Sequence, residues 1–159
     1  MIRGIHHVAV STPDLDRLVA FYRDVIGAEV VRESSWPVGS DRIDALVGLE
    51  GSSARSVILL MGNAFLEVFQ YQTPAPTPQT QLRPVNDHGY THFCLDVVDI
   101  DSEYERLLAA GMTFHCPPPA LGEIGSGTLR STYGRDPDGN VIELQELFAP
   151  EHPLTLPMH

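Results

Sequence analysis

A chain of 159 residues, 43% hydrophobic and 19% charged, has the make-up of one globular domain or of two small modules sharing a core. Its formal net charge of −11 excludes nucleic acid and anionic membrane surfaces as expected partners, because both select clustered Lys and Arg. No run approaches the ~20 apolar residues that span a bilayer, and the opening MIRGIHHVAVSTPD turns polar before a signal-type apolar core develops, so a cytoplasmic protein is expected.

The first element, GIHHVAV, is an apolar strand carrying His6 and His7 side by side, on opposite faces. A helix follows. Thr12 reads as its N-cap, Pro13 as its first residue, and Asp14 and Asp16 as first-turn acids. Leu15, Leu18, Val19, Tyr22, Val25 and Ile26 form one apolar stripe that stops at Gly27. Strands are expected over 29–33, 55–61 and 65–71, with a short helix within 40–51. Residues 72–89 hold four prolines and read as a linker between module one, 1–71, and module two, 90–149.

Module two repeats the plan. A strand begins at His92, Asp99 and Asp101 lead a helix, and Ile100, Tyr104, Leu107 and Leu108 form its stripe up to Gly111. Strands are expected over 113–116, 128–133 and 141–146, the last fed by the tight turn RDPDGN. Residues 150–159 form a tail. Cys94 and Cys116 lack metal-type spacing and a disulfide framework is not expected.

The repeat has a fixed register. The same spacing separates His7 from His92, Asp14 from Asp99, Leu15 from Ile100 and Asp16 from Asp101, while one residue fewer separates Gly27 from Gly111. The pattern predicts an α+β protein of two tandem βαβββ modules, whose sheets pair into one curved half-barrel with a concave face. It also singles out four residues. His7 and His92 open the two modules; Glu67 in FLEVFQY and Glu143 in VIELQEL lie on their last strands. A carboxylate within an apolar strand is costly unless compensated. Two imidazoles and two carboxylates on one cavity suit a divalent cation. His6, His88, His115, His152 and His159 are not expected as ligands, and Glu146 is expected to face solvent.

The motifs HVAV, PDLDRLVAFYRDVIGAEV, FLEVFQY, HFCLDVVDIDSEYERLLAAG and RDPDGNVIEL together resemble the vicinal oxygen chelate superfamily. That group includes glyoxalase I, methylmalonyl-CoA epimerase, extradiol dioxygenases and bleomycin or fosfomycin resistance proteins. The resemblance implies one divalent metal ion (Zn, Ni, Co, Mn or Fe) on His7, Glu67, His92 and Glu143, a small-molecule substrate and a homodimer. It implies a lyase or an isomerase/epimerase acting on a small oxygenated carbon acid through a stabilised enolate, with Glu143 as base and Glu67 sharing that role. Extradiol dioxygenases do not use the Glu67 position, so that residue points to the redox-silent branch. The alternatives are an Fe(II) ring-cleaving dioxygenase and a metal-free binding protein. ARSVILLM lacks the second acid/base Glu of the epimerase type. Arg42, Arg55, Arg83 and Arg130 are the candidates for holding a glutathione carrier, against a reading of each as a solvated surface Arg.

Overall fold

The computed structural model describes residues 1–125 and 127–156, and the chain divides into two compact units, with the boundary in sequence between Leu82 and Arg83. The first unit is built on β1 (His7–Ser11), β2 (Glu29–Trp36), β3 (Ser53–Met61) and β4 (Ala64–Thr73). Their order in the sheet is β1-β4-β3-β2, with β1 parallel to β4 and the other pairs antiparallel. A short helix, α2 (Asp41–Val47), links β2 to β3. The second unit repeats this order with β5 (His92–Asp96), β6 (Thr113–Phe114), β7 (Leu129–Arg135) and β8 (Val141–Leu147), arranged β5-β8-β7-β6. The α+β class and the repeated module are as the sequence predicts. Gln72 and Thr73, read as linker, belong to β4. The tail residue His159 lies outside the described residues.

In both units one sheet face packs under a helix. In the first, Val57, Leu59, Leu66 and Val68 are buried beside Leu15, Leu18 and Tyr22; in the second, Ile142 and Leu144 are buried with Ile100, Leu107 and Met112.

The first helix differs from expectation at both ends. Its cap is Asp14, whose extended backbone and carboxylate (accepting from Arg17 N, 3.1 Å) fit the N-cap role; Thr12 Oγ1 instead accepts from Asp14 N at 3.0 Å and shapes the approach. Helix α1 (Leu15–Ala20) then widens into a π-helical segment, Phe21–Ile26, that ends at Gly27 with φ 91°. The wider turn accommodates the one residue by which this copy exceeds the other. It also turns two successive side chains, Phe21 and Tyr22, into the core, where a regular α stripe accounts only for Tyr22.

Helix α3 (Ile100–Ala109) in the second unit is regular, and Leu108, placed in its apolar stripe by periodicity, is 47% exposed. Leu107 occupies the centre of the buried face, and its neighbour lies about 100° further round. Glu146 does not face solvent. Its carboxylate accepts from Asp99 N (2.8 Å) and Ile100 N (3.0 Å), closing the open end of α3. In the first unit Gln70 holds the same place on β4; there Asp14 N, the counterpart of Asp99 N, donates to Thr12 Oγ1, and the Gln70 amide donates to Pro13 O at 2.8 Å. We expect Glu146→Ala to lower stability by about 1–3 kcal/mol, measured by urea denaturation. A loss within error would show that these two bonds add nothing net.

Two arginines tie helix to sheet in the same way. Arg55, across the ladder from Gln70, pairs with Asp16 at 2.9 Å; Arg130, across from Glu146, binds Asp101 through two contacts of 2.6 and 2.7 Å. Asp16 and Asp101 are repeat counterparts. Both arginines are therefore engaged on the helix-bearing face; the Arg130 side chain is 13% exposed, while that of Arg55, at 43%, remains solvated as expected.

Candidate metal centre and the surrounding face

Strand register decides which side chains meet. In β1–β4, Ala9 lies opposite Glu67, so His7 and Glu67 share the face away from the helix; in β5–β8, Cys94 lies opposite Glu143, and His92 and Glu143 share the equivalent face. His7 Nε2 stands 3.7 Å from Glu67 Oε2, and His92 Nε2 stands 3.1 Å from Glu143 Oε2. Each sheet thus brings together one imidazole and one carboxylate of the four expected ligands. Among the described residues no three His, Cys, Asp or Glu side chains are gathered as one metal-holding group. Each unit holds half of the expected set.

Both histidines are oriented from their second nitrogen. His92 Nδ1 is 2.8 Å from Thr91 Oγ1, and His7 Nδ1 is 3.0 Å from His6 Nδ1. Thr91 and His6 occupy the same repeat position, one residue before the candidate ligand. His6 also stacks on Phe65, with ring centroids 4.9 Å apart. Sequence reasoning set His6 aside as facing away; the structure shows it holding the His7 ring, the kind of support that fixes a ligand's tautomer and leaves Nε2 available. Each half-site fits a divalent cation on this ground: a neutral-capable imidazole with its far nitrogen engaged, next to a carboxylate.

The two carboxylates differ in their surroundings. Glu143 faces Tyr133 across β7–β8 and Cys94 across β5–β8. The His92 and Tyr133 rings meet edge to face at 4.9 Å. Partial desolvation, reinforced by Glu143, pushes the Cys94 thiol up to about 12 and raises the Tyr133 phenol above its ordinary value. Both groups therefore stay protonated near neutral pH and serve Glu143 as donors. In the first unit the matching positions are Ala9 and Ile58, which donate nothing from their side chains. Tyr133 and Cys94 escaped the sequence reading because their role rests on cross-strand register, which only the β5–β8–β7 pairing supplies.

The candidate carrier-binding arginines are mostly engaged elsewhere. Besides Arg55 and Arg130, Arg83 donates to His88 O and lies 4.0 Å from Asp87. No helix among the described residues is long and apolar enough to cross a membrane.

Comparison with known proteins agrees with this architecture. The chain is 35% identical over 149 residues to 2-epi-5-epi-valiolone epimerase of an Actinomyces species, covering 92% of this chain and 80% of that protein. It is 27% identical to the mitochondrial methylmalonyl-CoA epimerase of Dictyostelium discoideum, covering 91% and 79%, and lactoylglutathione lyases of Synechocystis and Haemophilus influenzae match at 28% and 27%. Among solved structures, a glyoxalase family protein of Bacillus cereus superimposes with a TM-score of 0.78 at 21% identity, covering 94% of this chain and 97% of that one. A fosfomycin resistance protein of Listeria monocytogenes, crystallised with Mn(II) and sulfate, shares the fold with a TM-score of 0.59 at 19% identity, covering 92% and 93%. The family model of these proteins matches residues 4–144, and the chain belongs to the Glyoxalase/Bleomycin resistance protein/Dioxygenase superfamily.

Proposed function

We propose that this protein is a divalent-metal-dependent enzyme that moves a proton on a small oxygenated carbon acid, and that the reaction is an epimerisation or isomerisation. The carrying observation is the duplicated His–Glu pair, His7 with Glu67 and His92 with Glu143, each on neighbouring parallel strands. These four side chains would hold the cation, from one chain or from two. When bound, such an ion supplies Lewis-acid polarisation of substrate oxygens.

The protein's own groups supply the rest. Glu143 accepts the proton from the substrate carbon beside a carbonyl, and Glu67 offers a second carboxylate for returning it. His92 and the protonated Tyr133 and Cys94 orient Glu143. His6 and Thr91 keep the two ligand imidazoles turned toward the site.

Epimerisation is preferred over the lactoylglutathione lyase reaction because Arg55, Arg83 and Arg130, three of the four arginines proposed for an anionic thiol carrier, are paired with Asp16, Asp87 and Asp101. The epimerase relatives support the same reading. A ring-cleaving dioxygenase is disfavoured by the carboxylate at position 67.

The test is elemental analysis after loading with Ni, Co, Zn or Mn and desalting, followed by solvent deuterium exchange. Retained metal and exchange into a 2-oxo or acyl-thioester compound are expected, and both disappear on chelation. A protein that retains no ion above background, or that takes up oxygen with a catechol under Fe(II), overturns the reading.

A further inference from the structure

Helix α2 has little of its own to hold it. Its seven residues, Asp41–Val47, are too few to persist alone in water, where helices below about 12–15 residues are marginal. None of the seven is buried, Leu46 is 84% exposed, and Ser40 at the N-cap makes no side-chain capping bond. No strand or helix among the described residues makes extensive contact with it. Glycines at positive φ stand on both sides, Gly39 at 97° and Gly48 at 70°. Few buried apolar contacts and permissive flanks describe a segment that opens locally at low cost.

One residue opposes that opening. The main-chain carbonyl of Asp44 accepts from Gly48 N at 2.9 Å and Leu49 N at 3.1 Å, closing the end of α2. Its carboxylate reaches the start of β3, accepting from Gly51 N and Ser52 N, both at 2.9 Å, and from the Ser52 hydroxyl. Bonds to a charged acceptor are the strong ones. Ser52 is fully buried, and its oxygen accepts in turn from Trp36 Nε1–H at 3.0 Å. The hydroxyl thus donates to Asp44 and accepts from the indole, and links α2 to Trp36.

Trp36 places this link at one end of the first sheet. Strand β2 carries a one-residue bulge, Val30 pairing with Leu59 and Arg32 with Ile58, and the shift at Val31 turns Trp36 to the face that carries Glu67. There its ring meets Phe69 and Tyr71 edge to face at 6.2 and 5.9 Å. The second unit lacks the device: its edge strand β6 has two residues, and no helix lies between β6 and β7 among the described residues.

We propose that α2 is a hinged flap at the Trp36 end of that face, latched by Asp44 and able to open without unfolding the sheet. Opening breaks the Asp44–Ser52 bonds and releases the Trp36 indole. That the flap admits substrate rests on the proposed function; that it opens and is latched does not. Segments that gate a site belong to the least stable part of a fold.

Hydrogen exchange of the metal-loaded full chain, read by peptide mass spectrometry, tests the flap, and Trp36, the single tryptophan, reports the latch by its emission. In the wild type the hydrogen-bonded amides of 43–52 are expected to exchange well before those of β3 and β4. Asp44→Asn should quicken 43–52 about tenfold or more, leave β3 and β4 unchanged, and make Trp36 more accessible to acrylamide. Ala45→Gly, at an exposed helix position, should quicken the same amides about fivefold with the latch residue intact, and it decides the matter should Asp44→Asn fail to fold. Amides of 43–52 that exchange no sooner than β3, or variants that quicken β3 and β4 equally with α2, overturn the flap. Asp44→Asn exchange at the wild-type rate overturns the latch. Local opening in a protein that retains no metal supports the flap and refutes the proposed function; retained metal with α2 as slow as β3 does the reverse.

Discussion

Glu143→Gln is expected to slow solvent deuterium exchange at the substrate carbon by about 10²–10⁴-fold, the usual effect of removing a positioned acid–base group. Glutamine keeps the shape and one acceptor oxygen but cannot take the proton. The physical setting of Glu143 singles it out: His92 lies at 3.1 Å, and Tyr133 and Cys94 are held protonated beside it. Glu67, with His7 at 3.7 Å and side-chain neighbours Ala9 and Ile58, has fewer donors. The measurement is mass-spectrometric deuterium incorporation by metal-loaded protein, with metal content determined on the same sample. His92→Ala should lower that content outright. An E143Q protein that exchanges at the wild-type rate with normal metal content would remove Glu143 as the base.

Tyr22→Ala is expected to be the most damaging core change, destabilising by about 3–5 kcal/mol and lowering the melting temperature by roughly 10 °C or more. Tyr22 has 0% exposure and sits in the π-helical segment, edge to face with Phe21 at 5.2 Å. Truncation leaves a cavity between the helix and the sheet, and the bulky β3 and β4 side chains beneath, Leu59 and Leu66, cannot close it without shifting strands. Tyr22→Phe should cost much less. Thermal unfolding followed by circular dichroism decides the matter, and a shift of a degree or two for the alanine variant would mean that the site collapses freely.

Much of the architecture was legible because duplication writes each element twice. A strand with one His, a helix led by Asp and a strand with one Glu recur at constant spacing, so each assignment checked the other. What escaped has a common physical cause. Glu146 and Gln70 look like ordinary outward residues until the sheet places each beside the start of its helix, where Glu146 accepts from Asp99 N and Ile100 N and Gln70 donates to Pro13 O. Arg55 and Arg130 look like surface charge until register places them against Asp16 and Asp101. His6 looked idle because strand alternation turns its backbone away, whereas its ring nitrogen reaches the neighbouring imidazole. These roles depend on pairing across the sheet, and linear spacing carries no information about a bulge such as the one at Val31. Leu108 differs for the opposite reason: the ten-residue helix α3 buries only a narrow stripe, and apolar periodicity does not mark its edge.

The widened turn at Phe21–Ile26 has a consequence for how such a duplicated chain diverges. An insertion inside a helix ordinarily rotates everything after it and would swing the following strand out of register. Here the surplus residue is confined to one turn, and Gly27 still delivers the chain to β2. The two halves can thus differ in length by one residue and keep the same strand order. Such a segment is a place where gain or loss of a single codon is structurally quiet, and where the two copies of an ancestral module are free to drift apart.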